Sequence, residues 1–310
     1  MNLVTLKFAP KKKIYFEDMV ESWLLYKKCT VKKSTYYNYQ YLVNKYLVTE
    51  FKGYSIDRFE NLSVNRMIEK LLERLSPKMI KDIMSVLKSI LSYSEEKYRR
   101  EFHIEPFAIP RTRNADLQVL TPREQFRLED YCIQEGSCRY LGIILCLYTG
   151  MRIGELCALK WEDIDLKTRY IRINKTLQRI YIEKNKTKIL IDTPKSAKSS
   201  RKIPLNDKLL AILQDQKDNY SKNCYFLTGT LKYVEPRNYQ HTFACALKNS
   251  HIRRGYNFHI LRHTFATNCI GVGMDPKSLS ELLGHSTVNI TLNRYVHSSD
   301  TIKKKYLQRL

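Results

Sequence analysis

Over the first hundred residues, apolar positions recur at helical rather than alternating spacing. Phe16, Val20, Trp23 and Leu24 mark one face of a first helix. Ser34 reads as the N-cap of a second, with Tyr36, Tyr39, Val43 and Tyr46 on a common face. Ser63 reads as the cap of a third, carrying Val64, Ile68, Leu71 and Leu75 inward. Ser76 followed by Pro77 opens a fourth, with Ile80, Ile83, Leu87 and Ile90 buried. Four short amphipathic helices of this kind predict a compact bundle. The pattern stops between Glu101 and Leu120, where Pro106, Pro110, Arg111 and Arg113 predict an extended basic linker. Thr121-Pro122-Arg123-Glu124 then supplies an N-cap, a proline in the first turn and a capping-box glutamate. The second domain is expected to hold a buried helix around Tyr140–Tyr148. Strands are expected at Tyr170–Thr176, Lys188–Thr193 and Arg201–Leu205, and helices return after Leu205. The expected fold class is mainly α with a small antiparallel β-sheet (α+β). The expected division is a helical domain at 1–105, a linker at 106–116 and a second domain at 117–310.

Charge changes the picture most. The 310 residues carry a formal net charge of +23, which points to a polyanionic partner, nucleic acid being the commonest. Membrane surfaces and acidic proteins are the competing partners. The second helix carries five tyrosines between Tyr36 and Tyr46, with lysines at both ends. Such a face could lie against DNA phosphates, although packing explains any single tyrosine equally well. The eight cysteines show no CxxC and no Cys/His metal spacing, as expected of a reducing cytosol. Met1–Lys13 lacks the apolar segment of a signal peptide, and the longest apolar run, Tyr140–Tyr148, is too short to span a bilayer. A cytoplasmic, nucleoid-associated protein is the expectation.

Four separated stretches carry candidate chemistry. They are Thr149-Gly150-Met151-Arg152-Ile153-Gly154-Glu155-Leu156, the turn Thr193-Pro194-Lys195-Ser196-Ala197-Lys198, His259-Ile260-Leu261-Arg262-His263, and Leu283-Gly284-His285-Ser286 followed by Tyr295-Val296-His297. Each has an ordinary structural explanation when taken singly. Arg152 could be a salt-bridge residue, Lys195 one of many lysines, and His259 a satisfied histidine. Gly284-His285 fits a helix C-terminus, and Tyr295 is one of 22 tyrosines. Together, their order and spacing resemble the tyrosine recombinase (phage integrase) family: R-x-G-E, a hairpin lysine, H-x-L-R, L-G-H, then a tyrosine with histidine two residues on. Leu159–Asp165 and Ser199–Leu205 also resemble that family. The likeness covers the chain from about Asp116 onward, and the first domain looks like the family's core-binding helical bundle.

The resemblance implies a DNA strand-breaking and rejoining enzyme with Tyr295 as nucleophile. Attack on a phosphodiester loads charge onto the non-bridging oxygens, and fixed positive donors must meet it. Arg152 and Arg262 are the implied donors, because a guanidinium bonds bidentately and keeps its proton. His259 is the implied acid/base helper and His285 the implied phosphate donor. Lys195, or Lys198 in the same turn, is the implied proton donor to the leaving 5′ oxygen, and Glu155 orients the first arginine. A covalent 3′-phosphotyrosine keeps the energy of the broken bond, so no metal, nucleotide or other cofactor is expected. The sequence carries no Walker loop and no carboxylate cluster of the two-metal kind.

The family further implies a clamp of both domains around double-stranded DNA at specific recombination sites. It also implies a homotetramer that exchanges strands through a Holliday junction. The tail from Ser298 to Leu310 would dock on a neighbouring protomer, with Ile302, Tyr306 and Leu307 facing it; accessory directionality or DNA-bending proteins are further candidate partners. Only about ten residues precede the first predicted helix. The expectation is therefore a recombinase without an arm-binding domain, with inversion, integration and excision all open. Three rival classes are a type IB topoisomerase, a non-catalytic DNA-binding protein on the same fold, and an RNA-binding module, for which no signature is visible.

Overall fold

The computed structural model describes residues 13–56, 61–99, 101–102, 117–183, 186–192, 200–252 and 255–295. The chain clusters into two compact units, one of residues 1–115 with 180–188, the other of 116–179 with 189–310.

The first unit is built from helices α1 (Phe16–Thr30), α2 (Lys33–Leu42), α3 (Val48–Phe51), α4 (Asn61–Leu72) and α5 (Pro77–Tyr98). Phe16, Met19, Val20 and Trp23 of α1 pack with Val64, Met67, Ile68 and Leu71 of α4 and with Ile80, Ile83, Leu87 and Ile90 of α5. Ser76 caps α5 through the Met79 amide, with Pro77 in the first turn, as the sequence predicts. Two expected caps differ. The second helix starts from Lys32 rather than Ser34, and α4 already begins at Asn61, which leaves Ser63 within the helix.

The tyrosine helix keeps part of its expected face, with Val43 buried and Tyr39 and Tyr46 packed against the core, and departs from it in its last turn. Val43–Leu47 form a π-helical turn between α2 and α3, and the extra residue shifts the helical phase. At its end Leu47 is buried while Tyr46 stays half-buried; at its start Val43 is buried as expected, with Leu42 beside it, and Tyr36 and Tyr39 are half-buried. Within this unit, Tyr41 stacks on Tyr181 with ring centroids 4.8 Å apart, and Lys45 donates to the Tyr41 hydroxyl at 2.7 Å.

The second unit opens with α6 (Pro122–Glu135), whose capping box joins Thr121 and Glu124. The apolar α7 (Cys138–Thr149) runs through its core and packs on α11 (His259–Gly271). Between them come α8 (Ile153–Ala158) and strands β1 (Ile164–Asp165), β2 (Tyr170–Ile173), β3 (Thr176–Glu183), β4 (Lys186–Asp192) and β5 (Arg201–Pro204). Strands β1, β2 and β5 form an antiparallel sheet with Ile171 opposite Ile203, and β3 and β4 pair with each other. The strand expected over Tyr170–Thr176 therefore ends at Ile173, and β3 is an element the sequence reading lacked. Its buried residues, Leu177 and Ile180, lie three apart, so the two-residue alternation of a strand is absent.

Helices α9 (Asp207–Lys217), α10 (Pro236–Asn249), α12 (Pro276–Leu283) and α13 (Val288–Tyr295) complete the unit. All eight cysteines are free. Among the described residues no helix is long and apolar enough to cross a membrane.

Candidate active site

The site is assembled around the C-terminal end of α12. A helix leaves its last carbonyls without intrahelical donors, and the partial negative charge there favours cations. Three consecutive carbonyls meet three arginines from distant parts of the chain. Leu282 O accepts from Arg201 Nε at 2.6 Å, Leu283 O from Arg262 Nη2 at 2.8 Å, and Gly284 O from Arg152 Nη2 at 3.1 Å. Gly284 makes the turn with φ +64°, and a Cβ there would lie 3.1 Å from Arg201.

Arg152 is the N-cap of α8, which places its guanidinium at a helix start rather than on a surface face. Its Nη1 donates to Glu155 Oε1 at 2.9 Å, and its backbone amide donates to Glu155 Oε2 at 2.9 Å. Arg201 grips the same carboxylate with Nη1 at 3.1 Å and Nη2 at 2.8 Å. Glu155 is 3% exposed; burial opposes its charge, but bonds and charge from Arg201 and then Arg152 hold its carboxyl below the ordinary range. The close approach of α8 to β3 explains Gly154 in the R-x-G-E stretch, since a Cβ would stand 2.7 Å from the Leu177 carbonyl oxygen.

Arg262, on α11, is 2% exposed and also donates through Nη1 to Gly150 O at 2.8 Å. Burial, and then the neighbouring Arg152, push its pKa down to about 9. That leaves it charged at neutral pH, in a pocket that would gain from an arriving anion.

Tyr295, the last described residue of α13, is 7% exposed and packs with Ala266, Cys269, Leu279 and Leu283. Burial raises its phenol pKa; the charge of Arg262 and Arg294 and a hydrogen bond from Arg262 pull the other way. The His285 ring lies parallel to the Tyr295 ring at 6.4 Å. His285 Nδ1 is 2.8 Å from Thr291 Oγ1, which leaves Nε2 as its remaining polar atom. Burial, then Arg262 and Arg152, hold His285 at about 3. His259, exposed at the first turn of α11, is lowered to about 4 by desolvation and by Arg262, Arg294 and Arg152.

Five of the six residues singled out in the sequence, Arg152, His259, Arg262, His285 and Tyr295, thus share one pocket. Lys195 and its alternative Lys198 lie outside the described residues, as do His297, Ile302, Tyr306 and Leu307. Two site residues were not singled out. Arg201 stands in a stretch noted for likeness alone, and His263 was noted only as the neighbour of Arg262. His263 Nδ1 lies 2.8 Å from the Tyr295 hydroxyl. Among the described residues no group of three or more His, Cys, Asp or Glu could hold a metal ion.

A buried phenol within a ring of guanidinium and imidazole groups, on a helical fold with a small antiparallel sheet, defines the class of enzymes that break and rejoin DNA through tyrosine. The chain belongs to the phage integrase family, whose profile matches residues 118–301; the N-terminal SAM-like domain of phage integrases matches residues 15–72. It is 28% identical to a XerC-like tyrosine recombinase of Caldanaerobacter subterraneus subsp. tengcongensis, covering 90% of this chain and 78% of that protein. It is 24% identical to the ICEBs1 integrase of Bacillus subtilis, covering 96% and 83%. In fold it is similar to the Tn1549 transposon integrase solved with circular intermediate DNA, at a TM-score of 0.75 and 22% identity over 94% of this chain and 98% of that one. It is also similar to a lambda integrase tetramer bound to a Holliday junction, at 0.67 and 17% over 88% and 78%.

Proposed function

We propose that this protein is a site-specific tyrosine recombinase that cuts and rejoins double-stranded DNA through a 3′-phosphotyrosine at Tyr295. The observation that carries the reading is the meeting of Tyr295, Arg152, Arg262, His259 and His285 at the end of α12. Arg152 and Arg262 hold the non-bridging oxygens of the scissile phosphate, and their carbonyl tethers aim them before substrate arrives. His285 donates to the phosphate, and His259, at the mouth, moves the proton. Lys195 protonates the departing 5′ oxygen, with Lys198 as its alternative. Glu155 orients Arg152 and stays off the phosphate, which its charge would repel.

Relatives named as recombinase and integrase, and similar folds solved on circular intermediate DNA and as a tetramer on a Holliday junction, support a tetramer that exchanges strands in pairs. The tail after Tyr295, through Ile302, Tyr306 and Leu307, joins the protomers. The reaction serves integration, excision or inversion, with accessory DNA-bending or directionality proteins setting its course.

A suicide substrate nicked beside the crossover tests the chemistry. The wild type traps a covalent adduct in EDTA without ATP, whereas Tyr295→Phe binds DNA and traps nothing. An adduct that survives Tyr295→Phe means another nucleophile. The general acid is found with a 5′-bridging sulfur, a leaving group that needs no proton: it restores cleavage to Lys195→Ala if Lys195 is the acid, and to Lys198→Ala if Lys198 is. Relaxation of supercoiled DNA lacking any target site would instead favour the type IB topoisomerase reading.

A further inference from the structure

His263 is buried at 9% exposure, one residue beyond Arg262 on α11, and its two ring nitrogens have different neighbours. Nδ1 is 2.8 Å from the Tyr295 hydroxyl, and Nε2 is 3.5 Å from Arg294 Nη2, one residue before the tyrosine on α13. An arginine side chain carries donors and no acceptor, so Nε2 receives the hydrogen bond and must present its lone pair. A neutral imidazole with a lone pair at Nε2 carries its hydrogen at Nδ1.

We infer that Arg294 fixes the tautomer of His263 so that Nδ1–H donates to the Tyr295 oxygen, which makes His263 a catalytic hydrogen-bond donor to the nucleophile. The inference rests on the reading of Tyr295 as nucleophile. His263 stays neutral in this setting: burial holds it at about 3, helped by His259 and Arg262 on its own helix and Arg294 on α13. The His259 ring stands edge-on to it at 4.7 Å.

In cleavage, the Tyr295 oxygen bonds to phosphorus as the bond from phosphorus to the 5′ oxygen breaks. The phenolic proton passes to His259, the base of the proposed mechanism, or to water, and the 5′ oxygen takes its proton from the hairpin lysine. His263 neither gains nor loses a proton. Its N–H strengthens as charge grows on the phenol oxygen, and in rejoining it stabilises the same phenolate as it departs. Acceptance of the phenolic proton by Nδ1 is the opposite arrangement, and the two differ by experiment.

Asparagine places an amide N–H where imidazole Nδ1 stands, whereas glutamine carries its amide one bond further out. Single-turnover adduct formation on the nicked substrate should fall about 10- to 100-fold in His263→Ala and His263→Gln, the loss of one hydrogen bond to a charged oxygen. His263→Asn should restore most of that rate, although its amide is a poor base. The alkaline limb of the rate profile should move to higher pH in the Ala and Gln variants and return in Asn, because a donor to the phenolate lowers the phenol pKa. If Ala fails to fold, the Asn and Gln pair still decides. Asn no better than Gln, an undiminished rate in Gln, or an unmoved alkaline limb would each overturn the inference. Failure of the parent reading is separate, since it shows as an adduct in Tyr295→Phe.

Discussion

At the residue scale, the pocket is an excess of positive charge arranged around one carboxylate. Arg201, with a side chain 6% exposed, and Glu155, at 3%, form a buried ion pair whose carboxylate is shared with Arg152. Removal of one partner from such a pair costs about 3–5 kcal/mol, because the other charge is left buried and alone. Glu155→Ala should lower the urea-unfolding free energy by about that much, and an unchanged midpoint would mean the pair contributes little. The histidines set a pH dependence. His263 and His285 titrate at about 3 in the folded protein, against roughly 6.5 in an unfolded chain. The unfolded chain therefore binds more protons between those values. The stability they contribute is complete above about pH 6.5 and drains away as pH falls toward 3. The melting temperature of the free protein should thus be lower at pH 5 than at pH 7.5, and His285→Gln should narrow the gap. The candidate residues were legible because R-x-G-E, H-x-L-R and L-G-H are short local strings. Arg201 and His263 were not, because their meaning lies in Glu155 and Tyr295, partners brought near only by folding.

At the element scale, helices announced themselves and one hairpin did not. The 3.6-residue recurrence of Ile80, Ile83, Leu87 and Ile90 is the buried stripe of α5, and Ser76-Pro77 fixes its start. The π turn at Val43–Leu47 broke the same logic only at the end of the tyrosine helix, where one inserted residue rotates the later side chains and Leu47 rather than Tyr46 is buried. Strand β3 escaped because Leu177 and Ile180 do not alternate. Yet β3 governs the site indirectly: α8, which begins at Arg152, lies so close to it that only a hydrogen fits on Gly154. Gly154→Ala should cost about 1–3 kcal/mol as an overpacked contact. It should also slow adduct formation by moving Arg152 and Glu155, so measured stability and cleavage rate should fall together. A variant of wild-type rate would show that β3 yields freely.

At the scale of the whole molecule, a charge of +23 is spread over a chain that clusters into two units. If phosphate contacts dominate its grip on DNA, log K should fall with log salt at a slope of about −0.9 per neutralised phosphate. Flat salt dependence would argue against a nucleic-acid partner. The bulk charge was readable from composition alone, whereas the grouping of residues 180–188 with the first unit was not, because no local sequence pattern records it.

The arginine tethers on Leu282, Leu283 and Gly284 also tie the aim of three guanidinium groups to the phase of one helix. One residue added to or removed from α12 would turn its final carbonyls by about 100° and slide them by about 1.5 Å. Every tether would lose register at once with no reacting group altered. The number of residues between Asp275 and Gly284 therefore sets where all three guanidinium groups are aimed.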